Sequence, residues 1–167
     1  QSALMAPTEI LAQQHYQGLT QLLNKMPVEV ALLTGSTKTA ERKRILAGLL
    51  NDEIHLVVGT HAIIEDKVQF KNLGLVIVDE QHRFGVHQRL ALRNKGRDGT
   101  RTPHQLVMTA TPIPRTLLLA HYGDLDASKL DEKPANRKPI DTRVVSLERL
   151  EEVYPAIRRA VGGAVAS

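Results

Sequence analysis

The feature that most constrains this chain is the run from Leu73 to Val78, almost wholly apolar and β-branched, which ends abruptly at Asp79 and Glu80. It offers no polar side to water, so it reads as a strand buried on both faces, the situation of a parallel sheet covered by helices. The remaining pattern agrees, because strand-like and helix-like segments alternate along the chain. Strands are expected near residues 3–5, 28–33, 54–58, 73–78 and 105–108. A helix is expected over 9–25, with Leu19, Leu22, Leu23 and Met26 on one stripe and Pro27 as its stop. A second helix follows the turn Thr34-Gly35-Ser36-Thr37, carries Ile45, Leu46, Leu49 and Leu50 on one face, and closes at Asn51 and Asp52. A short helical turn is expected over 62–64. Another helix starts at Pro112, has Ile113, Leu117 and Ala120 on one side, and ends near Gly123.

Beyond Gly123 the apolar periodicity stops. Asp, Lys, Pro134, Asn136 and Pro139 make a linker of 124–139, and a strand near 140–145 followed by a helix over 147–161 opens a further unit. With 167 residues, 42% of them hydrophobic and 24% charged, the chain is long enough to bury a core and is not of disordered composition. The absence of cysteine excludes disulfides and thiolate zinc sites, and suits a reducing compartment such as the cytoplasm. No apolar run approaches the roughly 20 residues of a membrane span, and no signal-peptide pattern opens the chain. Lys plus Arg exceed Asp plus Glu by 22 to 18, a mild excess that permits an anionic partner. The stretch from Arg83 to Arg101 holds six Lys or Arg against one acid, Asp98. It reads equally well as a solvated surface or as a place for nucleic acid. Three Tyr, two Phe and no Trp leave few aromatic platforms for stacked bases, so backbone contacts would dominate.

In Leu75-Val76-Ile77-Val78-Asp79-Glu80-Gln81-His82, a buried strand hands two carboxylates to its carboxyl end, the edge where open α/β sheets place ligands. In phosphoryl-transfer sites an Asp there holds magnesium, and a neighbouring acid polarises the attacking water. Alone, such a sequence is more often an ordinary strand end. Its context is a set of polar tripeptides at the other strand ends: Pro7-Thr8-Glu9, Thr34-Gly35-Ser36, Gly59-Thr60-His61 and Thr109-Ala110-Thr111. Each alone is turn or cap chemistry. In a parallel sheet they line one rim, where hydroxyls and helix N-termini can take phosphate oxygens.

The strings MAPTEILAQQHY, LLTGST, VVGTHAII, VIVDEQHRFGVHQRLALR and PHQLVMTATPIPRTL resemble, in order, motifs Ia, Ib, Ic, II and III of superfamily 2 helicases. The detail of DEQHRFG, HQRLALR and TATPIPRTL is similar to the bacterial RecG-type ATP-dependent DNA helicases, over nearly the whole chain. The motor of the transcription-repair coupling factor shares GTH, HRFG and TATPIPRTL, and Gln81 favours the RecG side. The resemblance implies a RecA-like domain of the P-loop NTPase type and a DEAH-like box. It implies ATP and Mg2+ as cofactors, and double-stranded and branched DNA as partner. The expected function is remodelling of stalled forks and Holliday junctions in recombination and repair, in the bacterial cytoplasm. It assigns Asp79 to the magnesium, Glu80 to the attacking water, and His82 to a link between the nucleotide and Thr109 and Thr111, with Gln81 also at the nucleotide. Pro7, Thr8, Glu9, Thr34, Gly35, Thr60, His61 and Arg83 are assigned to the DNA.

The phosphate-binding loop Gly-x-x-x-x-Gly-Lys-Ser/Thr is absent. Gly35-Ser36-Thr37-Lys38-Thr39 imitates its end, but Thr37 and Leu32 stand where its glycines belong. The resemblance places that loop upstream of Gln1, and motifs IV to VI, with the arginine of the second motor domain, beyond Ser167, with a wedge domain missing as well. The expectation is therefore a motor domain cut at both ends: residues 1–123 of the first RecA-like domain, the linker, and the opening of the second from 140. Such a piece would be inactive as an ATPase, and its exposed sheet edge invites self-association. Two other readings stand beside this one. A non-catalytic nucleic-acid-binding module has no need of adjacent acids at 79 and 80, and a response-regulator-like protein would need acids at other strand ends.

Overall fold

The computed structural model describes residues 1–80, 91–92, 94–96, 102–110, 126–132, 140, 142 and 144–164. The chain divides into two units, Gln1–His121 and Tyr122–Ser167.

In the first unit the described elements are β1 (Ser2–Met5), α1 (Glu9–Leu22), β2 (Val30–Leu33), α2 (Thr39–Asn51), β3 (Leu56–Gly59), a 3-10 turn (His61–Ile64), β4 (Leu75–Val78) and β5 (His104–Val107). The strands form one sheet in the order β2-β3-β1-β4-β5, and every pairing is parallel. The architecture expected of a parallel-sheet, RecA-like domain is therefore present. Successive side chains of a strand point to opposite faces, and β1 shows the result. Ala3 and Met5 join one core with Leu33, Ile45, Leu49, Val57, Ile63, Val76 and Val78. Leu4 and Ala6 join the other with Ala12, Leu56 and Val58, and Leu11, Tyr16, Leu19 and Leu23 pack against it. Helix α2 thus covers one face of the sheet and α1 the other.

Strands β2, β3 and β4 are shorter than their apolar runs, whereas β1 begins one residue earlier than expected and β5 is shifted by one. Val28 and Glu29 precede β2 because its ladder begins where Val30 meets Leu56, while the carbonyl of Glu29 accepts the amides of His55 and Leu56. Gly59 is required by close approach: a Cβ there would stand 1.8 Å from the carbonyl oxygen of Leu33.

Both helix faces differ in part from their sequence pattern. Helix α1 ends at Leu22 rather than near Lys25, and the amide of Met26 donates to the carbonyl of Leu23, closing a turn before Pro27 is reached. Leu22 is 74% exposed and Met26 lies outside the helix, exposed as well. The stripe that packs is Ala12, Tyr16, Leu19 and Leu23. On α2, Ile45 and Leu49 are buried and Leu46 is half-buried, whereas Leu50 is 52% exposed. Asp52 ends α2 in the left-handed region (φ 68) and its amide donates to the carbonyl of Gly48. The helix expected from Pro112 lies outside the described residues.

In the second unit, residues 126–132 are exposed and carry no regular structure. Ile140, Thr142, Val144 and Val145 are not in a strand among the described residues. A 3-10 turn (Leu147–Arg149), capped by the Ser146 hydroxyl, leads into α3 (Leu150–Ala164). Leu150, Tyr154, Ile157 and Val161 fall on one side of α3 and are exposed. Pro155 removes one amide from this helix, and Arg149 pairs with Glu152 at 2.6 Å. No helix of the described residues is long and apolar enough to cross a membrane.

The different surroundings of two adjacent leucines are testable. Leu49→Ala is expected to lower unfolding stability by about 3 kcal/mol, and Leu50→Ala by less than about 1, because only the first leaves a cavity. Urea denaturation of the two variants measures the contrast, and equal losses would contradict the packing of α2.

Candidate functional site

The parallel register brings the carboxyl ends of the strands into one row: Leu33, Gly59, Met5, Val78 and Val107 are successive partners across the sheet. The residues that follow each of them form a rim, so the polar strand ends separated in sequence meet in space.

Asp79 begins immediately after β4, its amide donating to the carbonyl of Met5 at 2.9 Å. Its side chain is 18% exposed, and both oxygens are engaged by the protein. Oδ1 accepts the amide of Glu80 at 3.0 Å, and Oδ2 lies 2.7 Å from Nε2 of His15 on α1. Glu80 has φ 50, in the left-handed region that a side chain with a Cβ enters at some cost. A strained backbone directly after a buried strand is a feature that active sites often carry. Thr109 stands two residues beyond Val107, the partner of Val78, with the amide of Met108 donating to the carbonyl of Val78. Gln81, His82, Arg83 and Thr111 lie outside the described residues.

The other end of the rim is built by a network that the sequence pattern does not reveal. Thr8 caps α1, its hydroxyl accepting the amide of Leu11. Pro7 before it is half-buried. The carboxylate of Glu9, the next residue, accepts both the amide (3.1 Å) and the hydroxyl (2.7 Å) of Ser36. Those two donors hold the Glu9 carboxyl below its usual range. A lowered carboxyl value means the tether is complete above the ordinary carboxylate range and is released only as pH falls below it. Arg42 adds a second fastening: Nη2 donates to the carbonyl of Thr34 at 2.8 Å while Nη1 pairs with Glu65 at 3.0 Å. Thr34 itself is 5% exposed, and its hydroxyl bonds with those of Ser36 and Thr37. Thr60 is 3% exposed, and among the described residues its hydroxyl is the one buried side-chain polar atom without a partner. These two threonines therefore form the floor of the rim, while Thr8, Gly35, Ser36 and His61 are exposed on it.

His15 and Arg42 are the residues that sequence reasoning missed, and Ser36, placed on the rim by its tripeptide, was not expected to hold Glu9. One signal was available for His15, which lies three residues after Ala12 and four before Leu19, near the packed stripe, where a solvated imidazole is out of place.

The donor set at Asp79 suits a hard cation. Magnesium is usually held by one or two carboxylates, with substrate phosphates and waters completing the shell. Each Asp79 oxygen keeps a lone-pair site after its protein hydrogen bond. No group of three His, Cys, Asp or Glu among the described residues forms a metal cluster, so a site here would be of that sparse kind. The sequence holds no glycine-and-lysine cradle for the phosphates themselves.

Comparison with known proteins gives the same picture. Residues 1–119 match the family model described as DEAD/DEAH box helicase. The ATP-dependent DNA helicase RecG of Synechocystis sp. is 54% identical over 96% of this chain and 19% of its own length. That of Thermotoga maritima is 52% identical over 96% of this chain and 20% of its own, and that of Bacillus subtilis 53% over 95% and 23%. The chain thus spans about a fifth of the length of these curated relatives. A solved structure of RecG bound to a three-way DNA junction aligns with a TM-score of 0.76 at 48% identity, covering 96% of this chain and 21% of that one. T. fusca Cas3, at 15% identity and a TM-score of 0.52 over 71% of this chain and 16% of its own, shares the fold alone. With its ordered motifs on the rim of one parallel sheet and this likeness to RecG, the chain belongs to the DEAD/DEAH box helicase family as a RecG-type member.

Proposed function

We propose that the protein carrying this chain is an ATP-dependent DNA helicase or translocase. It remodels branched DNA, stalled replication forks and Holliday junctions included, in recombination and repair in the bacterial cytoplasm. The observation that carries this reading is the seating of Asp79 and Glu80 at the carboxyl edge of a central strand, beside the strand that leads into Thr8 and Glu9. The similarity to RecG, one structure of which is bound to a three-way DNA junction, supports branched DNA as the substrate. In this reading residues 1–123 belong to the first RecA-like motor domain, 124–139 to a linker, and 140–167 to the start of the second.

ATP with Mg2+ supplies the phosphoryl group whose transfer to water drives movement along DNA. The chain's own residues divide the work around it. Asp79 holds the magnesium from the lone pairs left free by Glu80 and His15. Glu80 orients the attacking water and takes its proton. The resemblance assigns Gln81 and His82 to the nucleotide, and gives His82 the task of linking it to Thr109 and Thr111, so that hydrolysis would be felt along the rim. Thr8, Gly35 and His61 meet the phosphate backbone from that rim, with Arg83 assisting, while Pro7, Thr34 and Thr60 shape the surface beneath them. Glu9 serves the same surface indirectly. Tied to Ser36, its carboxylate fixes the Gly35 loop, and that pairing offsets the repulsion an acid would exert on phosphates.

Asp79→Ala and Glu80→Gln in the full-length protein are each expected to lower ATP turnover at least about a hundredfold while leaving junction-DNA affinity within about threefold. Phosphate release and fluorescence anisotropy measure the two quantities, and retained turnover would contradict the assignment. The 167-residue chain alone is expected to show no ATPase, since no lysine clamps the phosphates. A turnover that disappears with Glu80→Gln in the isolated chain would overturn this. DNA binding by the full-length protein is expected to weaken linearly in log K against log salt and to depend little on base sequence. A flat salt profile would argue against backbone contact.

A further inference from the structure

We infer that His15 is a positioning residue for the magnesium-bearing carboxylate: its Nε2, 2.7 Å from Oδ2, fixes the orientation in which Asp79 meets the metal. The inference rests on the reading of Asp79 given above and deepens it.

Geometry and chemistry agree on the direction of this bond. An ionised carboxylate only accepts, so the imidazole is the donor. The bond is short and half-sheltered, with side-chain exposures of 31% for His15 and 18% for Asp79, where a charge-assisted hydrogen bond is stronger than in open water. The second oxygen is held independently by the amide of Glu80. An aspartate gripped at one oxygen by the amide of its chain neighbour and at the other by a side chain of α1 cannot rotate its carboxylate freely, and one lone-pair site on each oxygen remains for metal-bound water. Partners of a ligating carboxylate commonly govern metal affinity in this way, by removing orientations that do not bind.

The location of His15 adds a second consequence. It lies on α1 fewer than two turns beyond Thr8 and Glu9, the residues at the DNA end of that helix. A rigid helix therefore carries a backbone-contacting end and a metal-positioning side chain together. A displacement of α1 on DNA would reach Asp79 through one hydrogen bond.

The test compares the full-length helicase with its His15→Ala, His15→Gln, His15→Asn and Asp79→Ala variants. It reads the affinity for a fluorescent, non-hydrolysable ATP analogue at one pH, once with Mg2+ and once with EDTA. The gain in affinity produced by Mg2+ is the quantity of interest, and the EDTA value reports the integrity of the remaining site. His15→Ala is expected to lose about tenfold of the magnesium-dependent gain with the EDTA value unchanged. The Gln amide reaches where Nε2 stands and is expected to restore the gain to within about twofold, whereas the shorter Asn falls short and behaves like Ala. A wild-type gain in His15→Ala overturns the inference. Equal losses in the Ala and Gln variants, or losses seen equally in EDTA, also overturn it, because they mark a merely structural role. Should the Ala variant fail to fold, the Gln and Asn pair decides, and equal gains in those two overturn the inference. Asp79→Ala separates the two levels of argument. If it keeps the full magnesium gain, the assignment of Asp79 to the metal fails, whereas loss there with none in His15→Ala removes the role of His15 alone.

Discussion

Hydrogen bonding on both sides of β1 fixes where the rim stands. One ladder joins β1 to β3 and the other joins it to β4, and each continues past the strand end: the amide of Ala6 donates to the carbonyl of Gly59, and the amide of Asp79 to that of Met5. A parallel sheet has all its carboxyl ends on one edge, so register alone brings the residues of the rim into one row. What register alone cannot set is how the loops beyond the edge are held. That depends on a few side chains: Thr8 at the cap of α1, Glu9 on Ser36, Arg42 on the Thr34 carbonyl, and His15 on Asp79.

These fastenings place negative charge where a polyanion is proposed to bind, which at first opposes the function. Carboxylates at 9 and 79 would repel phosphate if they were bare. Each is committed instead to donors of the protein, Glu9 to the Ser36 amide and hydroxyl, Asp79 to the Glu80 amide and the His15 ring. The rim is therefore preorganised, with its loops held by bonds that do not have to form during binding. Thr60 is the exception, since its buried hydroxyl has no partner among the described residues. An unpaired buried hydroxyl costs roughly 1–3 kcal/mol, and it sits in the floor of the same surface.

Much of the fold was legible because the constraint behind it is local. A strand buried on both faces has to be apolar throughout, and the run ending at Asp79 announces itself on that ground. The helix faces were legible only in part. A 3.6-residue period says that one side is apolar but not how wide the sheet beneath it is, and so Leu22, Met26 and Leu50 continue an apolar pattern into solvent. The lengths of β2, β3 and β4 were overestimated because a strand ends where its neighbour does, a fact about another part of the chain. The acidic pair and the polar rim were legible from residue type and order. The pairing of His15 with Asp79 was not, because the two are far apart in sequence and no local pattern connects a helix face with the end of β4. The burial of Thr34 and Thr60, against the exposure of Gly35 and His61, has the same origin in tertiary packing.

The central place of β1 also has a temporal side. The strand nearest the N-terminus of this chain pairs only with strands made much later, Ser2 with Leu56 on one side and with Leu75 on the other. During synthesis its apolar residues leave the ribosome long before either neighbour exists, and α1 and β2 emerge in between without a sheet to pack on. Contacts this distant in sequence make for slow folding and a long exposure of unpaired backbone. The ladder that aligns the rim thus cannot close until β4 has been made, and an interruption of translation before that point would leave β1 with an unsatisfied side open to chaperones or to another copy.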